Sequence, residues 1–271
     1  MGVAFWRKTW YTDGSRPERK ARRRRAALWL HAVTAMAWGA QSNMTQPHHR
    51  GEKEERMIKA CIFDLDGTLL NTLSTIGGYL NEVLSAEGIP PFPLERYKYF
   101  VGNGARTLVK RALEAANALT DEREERVFAR YTRLYDSAPN AGTAPYAGII
   151  DLLAVLKARG IKVAVLSNKP DFATRSVVAS FFGDLVAVAH GGREGIPLKP
   201  APDGALALLE ELSVTAEECL YIGDTGVDMD TARAAGLFGI GVTWGFRERA
   251  ELEAHGARAV IDEPLALTAY L

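Results

Sequence analysis

From Met57 onward, short runs of β-branched and aromatic apolar residues alternate with longer stretches whose apolar residues recur at helical spacing. That alternation restricts the fold severely. Short continuous apolar runs suit strands buried on both faces, and the amphipathic stretches between them suit crossover helices that cover a parallel sheet. Strands are expected over 58–63, 161–166, 185–189, 220–222 and 238–242, and helices over 148–159, 171–182, 202–212 and 228–235. Asp171 is a good N-cap residue, and Gly160, Gly183 and Gly236 stand where helices end. The expected class is α/β: a Rossmann-like, doubly wound parallel sheet.

The first two expected strands are separated by nearly a hundred residues, far more than an ordinary strand-to-helix connection needs. Within that interval 72–86, 94–100, 105–116 and 121–135 carry helix-like spacing, and prolines punctuate 90–93 and 139–145. An inserted helical cap is therefore expected over 72–144, with residues 57–71 and 145–271 forming the core.

Composition matters most at the N-terminus. The chain is formally neutral, yet residues 1–56 hold 12 Lys and Arg against 5 Asp and Glu, a local +7 that leaves the remainder at −7. The four adjacent arginines Arg22, Arg23, Arg24 and Arg25 precede a moderately apolar stretch over 26–40. A secretory or twin-arginine-like signal would use that order, with Ala35-Met36-Ala37 as a cleavage site, but His31 and Trp38 interrupt its apolar region. A nucleic-acid arm would need aromatic interleaving that is missing. The expectation is an upstream extension without a fold of its own, or a misassigned start, because Met57 directly precedes a complete first strand. No run reaches the roughly 18 apolar residues of a membrane-spanning helix. The two cysteines, Cys61 and Cys219, exclude a disulfide framework and fit a reducing, cytoplasmic setting.

Polar residues cluster where the apolar runs stop. Asp64-Leu65-Asp66-Gly67-Thr68 follows the first strand, Ser167-Asn168 the second, and Gly223-Asp224-Thr225-Gly226-Val227-Asp228 the fourth, while Lys199-Pro200 precedes the helix expected from 202. In a parallel α/β sheet, loops at the carboxyl ends of strands converge on one crevice. Asp64 and Asp66, two residues apart on an extended chain, project to similar faces. A polar turn and an acidic first helical turn are the plain alternatives for the first and last of these groups. An EF-hand loop is disfavoured because its glycine belongs at the sixth position and Gly67 stands at the fourth.

These four groups, in this order, resemble the motifs of the haloacid dehalogenase superfamily, and the resemblance covers essentially 57–271. It implies that Asp64 is a nucleophile and Asp66 a general acid and base, both also contacting Mg²⁺, Asp66 through its backbone carbonyl. Asp224 and Asp228 complete that metal site by the same resemblance. Ser167, Asn168 and Lys199 hold the phosphoryl oxygens, and Thr68 orders the loop beside them. The chemistry agrees: a carboxylate nucleophile splits one hard hydrolysis into two easier steps, and a hard cation prefers oxygen ligands. Gly102-Asn103-Gly104-Ala105-Arg106 resembles the substrate-specificity loop of a helical cap, with Gly102 and Asn103 close to substrate and Arg106 suited to a substrate carboxylate. An ordinary helix-helix turn explains that segment almost as well.

Within the superfamily, the cap and the run Tyr97-Lys98-Tyr99-Phe100-Val101-Gly102 look most like phosphoglycolate phosphatases. The implied activity is Mg²⁺-dependent hydrolysis of a small phosphorylated metabolite by a cytoplasmic monomer or homodimer, with no nucleic-acid or membrane partner. A β-phosphoglucomutase-like transferase and a nucleotide or pyrophosphate phosphatase stay open. A non-catalytic phosphate- or nucleic-acid-binding protein is the rival of a different class. It is disfavoured because Asp64, Asp66 and Asp224 together are costly without a cation.

Overall fold

The computed structural model describes residues 57–138 and 140–271, so the expectation for residues 1–56 lies outside the described residues. Six strands form one sheet: β1 (Ala60–Phe63), β4 (Lys162–Pro170), β5 (Val188–Gly192), β6 (Cys219–Gly223), β7 (Phe238–Val242) and β8 (Ala259–Ile261). Their spatial order is β5-β4-β1-β6-β7-β8, and every pairing is parallel.

The two-residue periodicity of strands sorts the core into two clusters. Cys61, Phe63, Val163, Val165, Leu220 and Ile222 face one side of the sheet. There they meet Leu152, Leu153 and Leu156 of α4 (Ile149–Ala158) and Val177, Val178 and Phe182 of α5 (Asp171–Phe182). Ala60, Ile62, Ala164, Leu166 and Tyr221 face the other side. They pack on Ala205, Leu208 and Leu212 of α6 (Asp203–Leu212) and on Ala232 of α7 (Gly226–Ala234). A strand covered on both faces cannot afford polar residues along its length, which is why β1 is apolar until the moment it leaves the sheet.

The insert leaves and rejoins the core through two short strands, β2 (Leu70–Asn71) and β3 (Ala144–Pro145), which pair antiparallel. Between them lie α1 (Leu73–Ala86), a 3-10 helix (Leu94–Tyr99), α2 (Gly104–Ala115) and α3 (Asp121–Ser137). This layer has its own apolar cluster, including Leu80, Leu84, Tyr97, Val109, Leu113 and Val127. The start of α3 is well specified: the Thr120 hydroxyl accepts from the Arg123 N–H, and Asp121, Glu122 and Glu124 stand at the positive end of the helix dipole. Caps of this kind stabilise a helix by about 1 kcal/mol.

Several boundaries differ from expectation. β4 continues through Pro170 rather than stopping at Leu166, and β5 starts at Val188 because Gly183–Leu185 form a 3-10 turn. The helix expected over 94–100 is 3-10, begun after Pro93 and tied down by Asn81, whose amide accepts from Phe92 N–H and Tyr97 O–H and donates to the Phe92 carbonyl. The short helix α8 (Arg249–Ala254) and β8 were not anticipated, being too short for a period to register.

Candidate active site

β1 is central, and the chain leaves it toward β4 on one side and returns to β6 on the other. Its carboxyl end is therefore the switch point of the sheet, where a crevice must open. Asp64 is the first residue beyond β1, held there by its own N–H donating to the Ile222 carbonyl at 2.9 Å. Gly67 follows at φ +101°, and a Cβ there would stand 2.3 Å from Asp224 Oδ2, so only glycine lets the loop pass. Thr68 is fully buried and donates its hydroxyl to Asp224 Oδ1 at 2.9 Å. Thr68 orders the loop as expected of it, its one hydroxyl proton fixing Asp224. The Phe246 N–H donates to Asp224 Oδ2 at 2.8 Å and completes that carboxylate's hold.

Lys199 reaches into the same place from the loop before α6. Its ammonium donates to Asp64 Oδ1 at 2.7 Å and to Asp228 Oδ1 at 2.8 Å, with the side chain almost wholly buried. Asp228 Oδ2 accepts from the Thr225 N–H and hydroxyl, while Thr225 Oγ1 accepts from the Asp228 N–H, making a capping box at the start of α7. Asp228 thus serves the helix and the lysine at once. Tyr221 donates a further long bond to Asp228 Oδ1, at 3.4 Å.

Asn168 lines the crevice and is bonded to the loop that carries Lys199. Its carbonyl accepts from the Lys199 N–H at 2.8 Å, and its NH₂ donates to the carbonyls of Lys199 and Gly102, each at 3.0 Å. It fixes the Lys199 loop and ties the cap to it. Ser167 lines the crevice, its hydroxyl accepting from the Lys169 N–H at 3.2 Å.

Lys169 was missed. With β4 expected to end at Leu166, Lys169 fell outside any element, yet the alternation that pairs Asp64 with Asp66 also places Ser167 and Lys169 on one face. Its ammonium contacts both Asp66 oxygens, at 3.1 and 3.4 Å, and lies 4.8 Å from the centre of the Tyr135 ring.

At the strand ends, four carboxylates (Asp64, Asp66, Asp224, Asp228) meet two ammonium groups (Lys169, Lys199), an excess of two negative charges. Burial pushes the Asp64 carboxyl well above its ordinary value, and Lys199 offsets only part of that against Asp228 and Asp224. Burial, then Asp228, raises Asp224 from an ordinary 3.8 to about 7. Burial also opposes the Lys199 ammonium, but Asp228 and Asp64 outweigh it and hold its pKa well above the usual lysine value. Oxygens of Asp64, Asp224 and Asp228 lie within 4.8 Å of one another. An all-oxygen donor set short of two positive charges fits a hard divalent cation. The Asp66 carboxylate lies outside this triad, held by Lys169, which leaves only its backbone carbonyl for the metal contact expected of it.

The expectations for the cap need correction. Gly102 lines the crevice. The Asn103 carbonyl instead accepts from the Arg111 guanidinium at 2.8 Å. Arg106 is turned to the outer face, where it pairs with Glu125 at 2.6 Å and lies over the Phe128 ring. Acidic residues on α3, Glu124 and Glu125, supply its partners. The cap residues that do line the crevice include Val101, Ala105, Leu108, Tyr131 and Tyr135, joined by Phe246 from the core.

Buried carboxylates facing a lysine under a helical lid suit the handling of a phosphate ester, and the class that fold and site define is a capped phosphatase. The comparisons agree. The family model for haloacid dehalogenase-like hydrolases matches residues 58–236. A phosphoglycolate phosphatase from Rhodospirillum rubrum is 35% identical over 221 residues, covering 79% of this chain and 91% of that protein. One from Cereibacter sphaeroides is 35% identical, covering 74% and 94% respectively. The crystal structure of a provisionally assigned phosphoglycolate phosphatase from Lactobacillus delbrueckii subsp. bulgaricus superposes with a TM-score of 0.76 at 33% identity, covering 79% of this chain and 98% of that one. The chain belongs to the haloacid dehalogenase-like hydrolase family. Among the described residues no helix is long and apolar enough to cross a membrane.

Proposed function

We propose that the chain is a Mg²⁺-dependent phosphatase that hydrolyses 2-phosphoglycolate through an aspartyl-phosphate on Asp64. The observation that carries this reading is Asp64 itself, at the switch point of the sheet, 2.7 Å from Lys199 and within the acidic triad. The names of the relatives supply the substrate. A cytoplasmic location and a monomeric or homodimeric state go with it.

In the first step an Asp64 oxygen attacks phosphorus, the P–O bond to the glycolate carbon chain breaks, and Asp66, having taken up a proton before the ester reacts, gives it to the departing alkoxide. In the second step water attacks phosphorus, Asp66 takes a proton from it, and the P–O bond to Asp64 breaks, releasing phosphate and restoring the carboxylate. Lys199 and Ser167 hold the phosphoryl oxygens, whose negative charge is spread in the transition state. Asp64, Asp224 and Asp228, with the Asp66 carbonyl, would hold the Mg²⁺, and Asp228 also secures Lys199. When bound, the ion neutralises charge on the phosphoryl group and permits two anions to approach. The test is a panel of phosphorylated metabolites assayed with and without Mg²⁺: 2-phosphoglycolate should lead it, and sugar phosphates turned over about ten times faster (about 1.4 kcal/mol) would overturn the substrate.

The raised pKa of Asp224 also predicts how metal and pH interact. A carboxyl that holds its proton to about pH 7 in the fold but only to 3.8 when unfolded binds more protons in the native state between those values. Metal-free stability therefore falls as pH rises through that window and stays low above it. Bound Mg²⁺ compensates the charge that appears, so Mg²⁺ should raise Tm more at about pH 8 than at about pH 5. Thermal melts with EDTA or Mg²⁺ at the two pH values measure this; equal shifts would place the ion elsewhere.

A further inference from the structure

The site holds one more buried cation than a phosphoryl group needs. Lys199, Ser167 and the acidic triad already serve the end where phosphorus reacts. Lys169 stands apart from them, on the Asp66 side of the crevice, with its side chain only 6% exposed. A buried lysine is expensive unless it is paired. The Asp66 carboxylate that pairs it is the same group the leaving oxygen must reach, so a cation here lies beside the leaving-group end of any bound ester.

The surroundings of Lys169 suit a small anion rather than a sugar. The side chains of Ala105, Leu108 and Phe128 line the crevice nearby and offer no hydrogen bonds. Among the hydroxyls in the lining, Tyr135 Oη and Thr132 Oγ1 are buried without a hydrogen-bond partner among the described residues. Buried polar groups are ordinarily satisfied, and unpartnered ones facing a cavity mark a place where a ligand supplies the missing bond. The Tyr135 ring also lies against the Lys169 ammonium. Asp136 belongs to the same lining but is exposed, where water screens its charge.

We propose that Lys169, with the cap hydroxyls of Tyr135 and Thr132, forms a second anion subsite that binds the carboxylate of the substrate's leaving group. The subsite spans both layers, Lys169 from the end of β4 and the hydroxyls from α3, so it is complete only with the cap over the core. It explains how a short substrate is selected: the anion must sit close to the ester oxygen, since Lys169 touches Asp66 directly. This rests on the phosphatase reading of the same crevice and adds the residue that distinguishes anionic from neutral leaving groups.

The experiment compares 2-phosphoglycolate with its carboxamide, which keeps the shape and loses the charge. The wild-type enzyme should prefer the acid by roughly 10- to 100-fold in kcat/KM, the range expected for a hydrogen-bonded charged contact. Lys169→Met should erase that preference, with the change falling mainly on KM for the acid, and Lys169→Arg should restore most of it. Any loss shared by both esters reports Asp66, which Lys169 also holds, and only the ratio between them reads the subsite. Equal wild-type turnover of acid and amide overturns the proposal without any variant. A Lys169→Met enzyme that folds, by its melt, yet keeps the wild-type ratio overturns it as well. If another anionic phosphomonoester surpasses 2-phosphoglycolate, the substrate assignment falls, and the same ratio measured on that ester and its amide decides the subsite independently.

Discussion

Asp64→Asn should abolish turnover and every trace of covalent phosphoryl transfer, whereas Asp66→Asn should slow turnover and leave phosphate on the protein. The two carboxylates are two residues apart, but the structure gives them different company. Asp64 faces Lys199 and the acidic triad, and Asp66 faces Lys169. An amide at position 64 cannot attack phosphorus, so no phosphoenzyme forms on any substrate. An amide at position 66 leaves the nucleophile intact but can neither give nor take the proton, a loss of about 10²- to 10⁴-fold for general acid-base catalysis. With para-nitrophenyl phosphate the leaving group scarcely needs protonation, so the first step suffers less than the second. A burst of para-nitrophenol is expected with Asp66→Asn, together with one added phosphoryl group on the acid-quenched peptide containing position 64. Phosphoryl label on the Asp64→Asn protein would show that another residue is the nucleophile.

Lys199→Met is the second large effect, and its consequences are double. Loss of one positioned electrostatic contact costs about 10²- to 10³-fold in kcat. Sequence alone suggests that such a variant keeps its stability, since most lysines are solvated. The structure indicates otherwise, because Lys199 is the partner of two buried carboxylates, Asp64 and Asp228. Breaking a buried ion pair by removing one member typically costs about 3–5 kcal/mol, since the other charge stays buried alone. The single variant should therefore be both slow and less stable. Adding Asp228→Asn removes one of the stranded charges and should recover part of the melt without recovering activity. A Lys199→Met protein that is slow but as stable as wild type would mean that water or a metal already compensates the carboxylates, and one with normal kcat/KM would remove Lys199 from the mechanism.

How much of the site is legible before folding follows from how local each feature is. Asp64, Asp224 and Lys199 stand out because each interrupts or adjoins an apolar run, and the sheet topology forces the ends of those runs together. Lys169 lies one residue beyond Asn168, and only the continuation of β4 to Pro170 turns it into the crevice. Arg106 misleads for the opposite reason. A guanidinium beside a glycine-rich loop suits a carboxylate, but Glu125, on the next helix, supplies one. Thr68 and Asn168 also hold groups that the sequence pattern does not connect to them: Thr68 holds Asp224, and Asn168, in the crevice lining, holds the Lys199 loop and Gly102.

The sequence by itself determines the α/β class, the helical insert and the placement of acidic residues at strand ends. Those depend on periodicity and on the rule that a strand covered on both faces is apolar until it leaves the sheet. Tertiary structure alone decides which polar groups spend their hydrogen bonds on one another and which remain for a ligand. Asp228, Thr68, Asn168 and Arg106 are committed to internal partners, while Tyr135 and Thr132 keep unpartnered hydroxyls in the lining of the crevice. The physical reason is range: an apolar period is set by neighbours three or four residues away, but a buried charge or hydroxyl is satisfied by whichever group the fold brings within about 3 Å.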